Sequence, residues 1–232
     1  MRKPNIAIDG PAGSGKTTVA RLVAQRLGLL CVETGAMYRA VARQARTLGI
    51  DAGDAEALAD MTERMDLRVE PSPGGGMKVL LSGEDIGAEL RSPDLEQLAS
   101  RISAHAAVRR RLVELQRRIA ARGGVVMEGR DIQTVVLPDA ELKVFVTASL
   151  EERARRRMKD LQAGGAPAQF AQVKESILRR DERDQSRAAS PLRPASDAVI
   201  IDTDNLSIAE VVDRIIALAQ RPTPNKGSQP RS

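Results

Sequence analysis

Five short apolar runs punctuate this chain, and helical periodicities fill the spaces between them. Asn5-Ile6-Ala7-Ile8-Asp9 is rich in β-branched residues and reads as a buried strand. After it Val19, Ala20, Leu22, Val23 and Leu27 recur at helical spacing up to Gly28, a natural stop. Leu29 to Val32 predicts a second strand, followed by a helix ending near Gly49. Asp54 is placed to cap a helix carrying Ala57, Leu58, Met61 and Met65. Val125-Val126-Met127 predicts a third core strand, Leu142 to Val146 a fourth and Ala198 to Asp202 a fifth. Strands that alternate with helices in this way argue for an α/β fold, a parallel sheet covered on both faces.

One region breaks the alternation. Leu67 to Glu70 and Met77 to Leu81 flank Pro71-Ser72-Pro73-Gly74-Gly75-Gly76, the pattern of a hairpin with a loose loop, and Ser82-Gly83-Glu84-Asp85 adds a turn. About Asp66 to Leu90 is therefore expected to be a small antiparallel insert. Ser92-Pro93-Asp94 opens a helix with Pro at its first position, and the periodicity runs to Gly123-Gly124 with a break near His105. Ser149 with Glu152, and Ser207 with Glu210, are spaced as capping boxes. Gly164-Gly165-Ala166-Pro167 separates a basic helix from a second charged one, about Gln169 to Arg183. From Arg221 to Ser232 no large hydrophobic residue occurs, so a disordered tail is expected beyond a single unit of about 1–220.

With 232 residues, 42% of them apolar and only 1% aromatic, the core must be built from aliphatic side chains and Met. No run is long enough to span a membrane, and the single Cys31 cannot form an internal disulfide, which together suggest the cytoplasm. The net charge of +5 invites a nucleic-acid reading. Against it, Tyr38, Phe145 and Phe170 are the only aromatics available for base stacking. A pair of nucleotides would call for the same arginine excess, so small polyanions are the expected partners, with no nucleic acid and no membrane. A monomer is expected. His105, Cys31 and Met37 read as structural, and nothing resembles a zinc or iron site.

The densest chemistry lies between the first strand and the first helix. Gly10-Pro11-Ala12-Gly13-Ser14-Gly15-Lys16-Thr17, continued by Thr18, fits G-x-x-x-x-G-K-S/T without a mismatch and in the strand–loop–helix setting the motif requires. Glycines let backbone N–H groups turn toward phosphate oxygens, and the helix N-terminus adds partial positive charge. Lys16 can reach the donor phosphates, and the Thr17 hydroxyl can ligate Mg²⁺. The loop defines a nucleoside-triphosphate site but does not separate a kinase from a switch or a motor. No guanine-reading Asn-Lys-x-Asp segment is present.

Three further clusters separate them: Thr34-Gly35-Ala36-Met37-Tyr38-Arg39, Glu128-Gly129-Arg130-Asp131, and Arg180-Asp181-Glu182-Arg183-Asp184-Gln185-Ser186-Arg187 before Ser190-Pro191-Leu192. With these the chain closely resembles the bacterial cytidylate kinases, from Ile6 to about Ala219. The resemblance implies the nucleoside-monophosphate kinase fold: a CORE with a five-stranded parallel sheet, an acceptor-binding insert at about 66–104 and a helical LID at about 153–185. It implies transfer from ATP–Mg²⁺ to CMP or dCMP. Thr34, Arg39 and Arg130 would contact the acceptor phosphate; Ser100, Arg109 and Asp131 would read the cytosine. Arg180 and Asp184 would hold the sugar, Arg187 would lie near the phosphates in flight, and Arg153 and Arg157 would come from the LID. Two positions depart from the family pattern. Gln133 stands where Gly is usual, and Glu128 where Asp is also common.

The chemistry supports these roles independently. Phosphoryl transfer needs two anions held in line with their charge neutralised, so arginines from several segments are expected. Each guanidinium binds phosphate in bidentate fashion and keeps its charge. No general base is required, because the acceptor oxygen is already anionic at neutral pH. Alternatives stay open at this level for single residues. Arg153 to Arg157 also fit a solvated helix face, and Glu128 and Asp9 could either serve Mg²⁺ or simply end their strands.

Overall fold

The computed structural model describes residues 3–73, 76–163, 165, 168–187 and 189–221. Its centre is a parallel sheet of β1 (Ile6–Asp9), β2 (Leu30–Glu33), β6 (Val125–Gly129), β7 (Leu142–Thr147) and β8 (Val199–Asp202), in the order β2-β6-β1-β7-β8. All of its pairings are parallel, and Ile6 lies opposite both Val126 and Leu142. Alternation along β1 sends Ile6 and Ile8 to one face and Ala7 to the other. On the first face they pack with Val19 and Val23 of α1 (Lys16–Leu27) and Val212 and Ile215 of α8 (Ile208–Ala219). On the second, Ala7 and Met127 pack with Val113 and Ala120 of α5 (Ala106–Ala120). The sheet is thus covered on both sides, as its uninterrupted apolar strands require. Asp9, Glu33, Gly129 and Asp202 all end their strands at one edge, where ligands collect in such folds.

The expected insert is an antiparallel sheet of β3 (Leu67–Pro71), β4 (Met77–Leu81) and a two-residue β5 (Glu84–Asp85), where the sequence suggested only a turn. It packs with α2 (Thr34–Thr47), α3 (Ala55–Arg64), α4 (Pro93–Ile102) and the start of α5 around the fully buried Leu58, Ile86, Leu95 and Ile102. Each such side chain contributes about 1.5–3 kcal/mol on burial, enough to seat the insert firmly. The break near His105 falls between α4 and α5, where the His105 Nε2 lies 2.7 Å from the Ala52 carbonyl oxygen. The basic and charged helices are α6 (Leu150–Ala163) and α7 (Phe170–Ser186), joined through Ala154, Val173 and Ile177. Most of the Gly164–Pro167 break, and the tail after Arg221, lie outside the described residues.

One capping box forms and one does not. Ser207 and Glu210 bond reciprocally at the start of α8. At α6, Ser149 Oγ accepts from the Glu152 amide at 3.3 Å, but the Glu152 carboxylate turns to Arg156 at 3.0 Å. The Ser149 amide donates instead to Asp204 at 2.7 Å. A guanidinium outcompetes a neutral amide for the carboxylate, and a second carboxylate supplies the missing half of the cap.

Candidate active site

The phosphate loop is held open by contacts only glycine permits. A Cβ on Gly10 would sit 2.0 Å from the Val146 carbonyl oxygen, and Gly15 adopts φ +85° where the loop enters α1. Lys16, the first residue of α1, is buried and donates to the Pro11 carbonyl at 3.0 Å. Burial, then the nearby charge of Arg130, brings its pKa down to about 7. The Thr17 hydroxyl donates to Glu128 Oε1 at 3.2 Å, so the end of β6 faces the start of α1.

In front of this loop opens a cavity of about 830 Å³. It is lined by Lys16 and Thr17 on one side and by Thr34, Arg39, Ser100, Arg109, Arg130, Asp131, Arg180, Asp184 and Arg187 on the other. Residues separated by up to 171 positions, from Lys16 to Arg187, thus share one wall-to-wall space. The arginines stand in a lattice of carboxylates. Arg130 Nε donates to Asp184 at 2.8 Å, and Arg187 lies 3.7 Å from the other oxygen of that carboxylate. Burial pushes the Asp184 carboxyl up, but Arg130, Arg187 and Arg180 outweigh it and hold it below the ordinary range. Arg109 donates to Asp131 at 2.5 Å and to the Ser103 carbonyl at 3.1 Å, with its guanidinium 5.4 Å from the Tyr38 ring centroid. Thr34 Oγ1 bonds the Glu128 carbonyl at 2.9 Å, and Ser100 Oγ accepts from Arg183 at 3.4 Å.

Positive charge is nonetheless in excess. Arg39 Nε, Arg180 Nε and Arg187 Nη2 are buried without a hydrogen-bond partner among the described residues. Burial and the neighbouring Arg130 bring the Arg180 pKa down to about 10. Native structures seldom leave such donors unpaired, and here they border a cavity. They suit the binding of a strongly anionic ligand.

The two arginines expected from the LID part company. Arg157 lines the cavity and donates to Glu96 of α4 at 2.7 Å. Arg153 lies behind the phosphate loop, where it donates to the Ala12 carbonyl at 3.2 Å and to Asp181 at 2.5 Å. Arg156, which the sequence did not single out, reaches the Ser14 carbonyl at 3.4 Å and Thr203 Oγ1 at 2.9 Å. Glu96 also emerges as a residue of the cavity wall, while Asp9, whose role the sequence left open, lies buried behind it. Asp9 accepts from the amides of Ile132 and Gln133 at 3.0 and 2.8 Å, tying the residue before Gly10 to the turn after Asp131. Burial pushes its pKa up to about 7, against those two amide bonds. Its adjacency to Gly10 was the available signal for Asp9. For Glu96, an acid in the first turn of a helix, there was none beyond the helix dipole.

A parallel sheet with a phosphate loop at its carboxyl edge, facing arginines from separate elements, defines a phosphate-loop kinase of the nucleoside-monophosphate type. An uncharacterised protein from Eubacterium ventriosum has a similar overall fold, with a TM-score of 0.53, 14% identity and coverage of 94% of this chain and 98% of that one. The cytidylate kinase family model matches residues 6–221, and the chain belongs to that family. A cytidylate kinase of Symbiobacterium thermophilum is 49% identical over 216 residues, covering 93% of this chain and 96% of that protein. One from Pelotomaculum thermopropionicum is 51% identical over 214 residues, covering 92% and 95%.

Proposed function

We propose that this enzyme transfers the γ-phosphoryl group of ATP to CMP or dCMP, giving CDP or dCDP. The observation that carries this reading is the juxtaposition of the phosphate loop with the unpartnered guanidinium donors of Arg39, Arg180 and Arg187 across one cavity. The loop and Lys16 take the donor phosphates. Thr34, Arg39 and Arg130 take the acceptor phosphate, whose oxygen attacks the γ-phosphorus as the bond to the β–γ bridging oxygen breaks. Arg187 and Arg157 neutralise charge on the transferring group, and Arg153 steadies the loop from behind. Asp131 and Arg109 face the cytosine with Ser100, and Asp184 and Arg180 hold the sugar. On this reading the insert at about 66–104 closes on the acceptor and the arm at about 153–185 on the donor, in a monomer of the cytoplasm that needs no nucleic-acid partner. Among the described residues no helix is long and apolar enough to cross a membrane.

The Thr17 hydroxyl and the Glu128 carboxylate beside it fit Mg²⁺ and would hold it there. When bound, the ion would offset the charge of the donor phosphates. The decisive test is an ADP-release assay with a panel of nucleoside monophosphates. CMP and dCMP are expected to exceed UMP in kcat/KM by at least about 10²-fold, since a hydrogen-bonding pocket rejects the mismatched base. A preference for UMP, or equal ADP release without any acceptor, would refute the proposal.

A further inference from the structure

We propose that Gln133 is a positioning residue for the acceptor base, fixing the turn that presents Asp131 to the cavity. The inference rests on the reading of Asp131 as a base-facing group. Immediately after Asp131, residues Ile132–Val136 form a single π-helical turn, in which Leu137 N bonds the Ile132 carbonyl at 2.7 Å. Such turns leave their first amides without a partner inside the turn and concentrate at functional sites. Asp9 accepts from the first two of these amides, Ile132 and Gln133, as described above. That fixes the start of the turn at its backbone.

The Gln133 side chain fixes it a second time. It is 1% exposed and does not itself line the cavity. Its Nε2 donates to the Val144 carbonyl at 2.7 Å, and its Oε1 accepts from the Ala195 amide at 3.2 Å. Val144 is the residue at which β7 begins to pair with β8, opposite Val199. Ala195 belongs to the segment that leads from Arg187, at the end of α7, into β8. One amide therefore binds the Asp131 turn to the central sheet and to the segment that begins with Arg187. Only a group that both donates and accepts can do this, which selects Gln over Glu or Met of the same length. At its far end the turn is held by Arg117, which donates to Val135 O at 2.6 Å. Without the Gln133 amide, the turn loses its ties to Val144 and Ala195 and is held only through Asp9 and Arg117. Asp131 and the Arg109 guanidinium bound to it would then sample several positions. Displacement by a fraction of an ångström is costly where geometry sets the rate.

The test is steady-state kinetics of Gln133→Met and Gln133→Ala with CMP and UMP, run beside thermal melts and with Asp131→Asn as reference. Met keeps the shape and loses both bonds; Ala leaves room for water to satisfy Val144 and Ala195, and so decides the matter if the Met variant does not fold. The expected result is a KM for CMP raised about tenfold and a CMP:UMP ratio of kcat/KM lowered about tenfold, with the KM for ATP within about twofold of wild type. A lowered melting temperature with the CMP:UMP ratio unchanged would make Gln133 a structural residue only and overturn the proposal. If Asp131→Asn itself leaves the ratio unchanged, the base-facing role of Asp131 fails and this proposal with it. A ratio that collapses in Asp131→Asn but not in the Gln133 variants overturns the positioning role alone.

Discussion

Arg157 Nη2 donates to Glu96 Oε2 at 2.7 Å, joining α6 to α4 over the cavity between them. The same carboxylate lies 3.8 Å from Arg180. One carboxylate thus bonds Arg157 and lies near Arg180, two arginines whose proposed partners are phosphates and sugar. Arg157→Ala is expected to lower kcat about 10²-fold, as for loss of a donor aimed at transition-state charge, while the KM for CMP stays within about threefold. Glu96→Gln should do the reverse at the binding step. Releasing an ion pair of this exposure frees about 0.5–1 kcal/mol, or a two- to fivefold tighter ATP complex. Calorimetric titration with ATP checks the second expectation. Weaker binding would mean that Glu96 supports the arginines in their working positions.

Lys16→Met should cost at least about 10²-fold in kcat, the scale for removing a preorganised electrostatic group. It should not cost stability. Burial holds the Lys16 pKa near 7, against 10.5 for a free lysine. The native state therefore binds fewer protons than the unfolded chain between those values, and stability rises with pH across that window. The Met variant, with no charge to bury, should melt at or above the wild-type temperature at neutral pH and lose that rise. A melting temperature well below wild type would show that the Lys16–Pro11 bond holds the loop together.

The same shift predicts proton uptake on binding ATP. Phosphate oxygens beside the ammonium favour its charged form, so the pKa of about 7 must rise in the complex. At about pH 8 the free enzyme holds Lys16 mostly neutral and each ATP should draw in close to one proton; at about pH 6 the group is already charged and uptake should be small. Affinity should correspondingly weaken as pH climbs above neutrality. Titrations in two buffers of different ionisation enthalpy measure the uptake, and a value near zero at the higher pH would contradict the buried-lysine account.

Asp131→Asn probes base reading and stability together. An ionised carboxylate only accepts, which suits the cytosine amino group and opposes the uracil carbonyl; an amide can turn to offer either edge. CMP turnover should fall while UMP turnover holds or rises. The variant also leaves the 4%-exposed Arg109 side chain without its counter-charge. A loss of about 3 kcal/mol is expected from denaturant melts, because an unpaired buried charge keeps its full desolvation cost. Equal losses of CMP and UMP activity would assign Asp131 to support of the site instead.

The phosphate loop was fully legible, because Gly10 to Thr17 act through their own contiguous backbone. So was the layered α/β architecture, since apolar runs such as Ile6-Ala7-Ile8 suit only a strand covered on both faces. The hairpin of the insert was marked by its Pro–Gly loop, and Ser207 with Glu210 by local spacing. Ser149 and Glu152 have the same spacing and failed as a box, because Arg156 and Asp204 compete for their groups from outside the tetrapeptide. The π-turn after Asp131 was invisible for a similar reason: its amides are satisfied by Asp9, 123 positions earlier.

Local sequence determined the chemistry present: which segments carry arginines, where the acids stand, and where anions can meet a helix N-terminus. Periodicity could also place Arg153, Arg156 and Arg157 on one side of α6. It could not say what each would meet there. Packing decided that, by setting the first turn of α6 against the back of the phosphate loop. Arg153 is buried with Asp181 as its counter-charge, while Arg156 and Arg157, one turn on, reach the cavity. The pairings Arg109–Asp131, Arg130–Asp184 and Arg157–Glu96 follow the same logic. A helical pattern fixes the angle between neighbours about one axis, but which charge faces which depends on how separate axes cross, and only the folded core sets that.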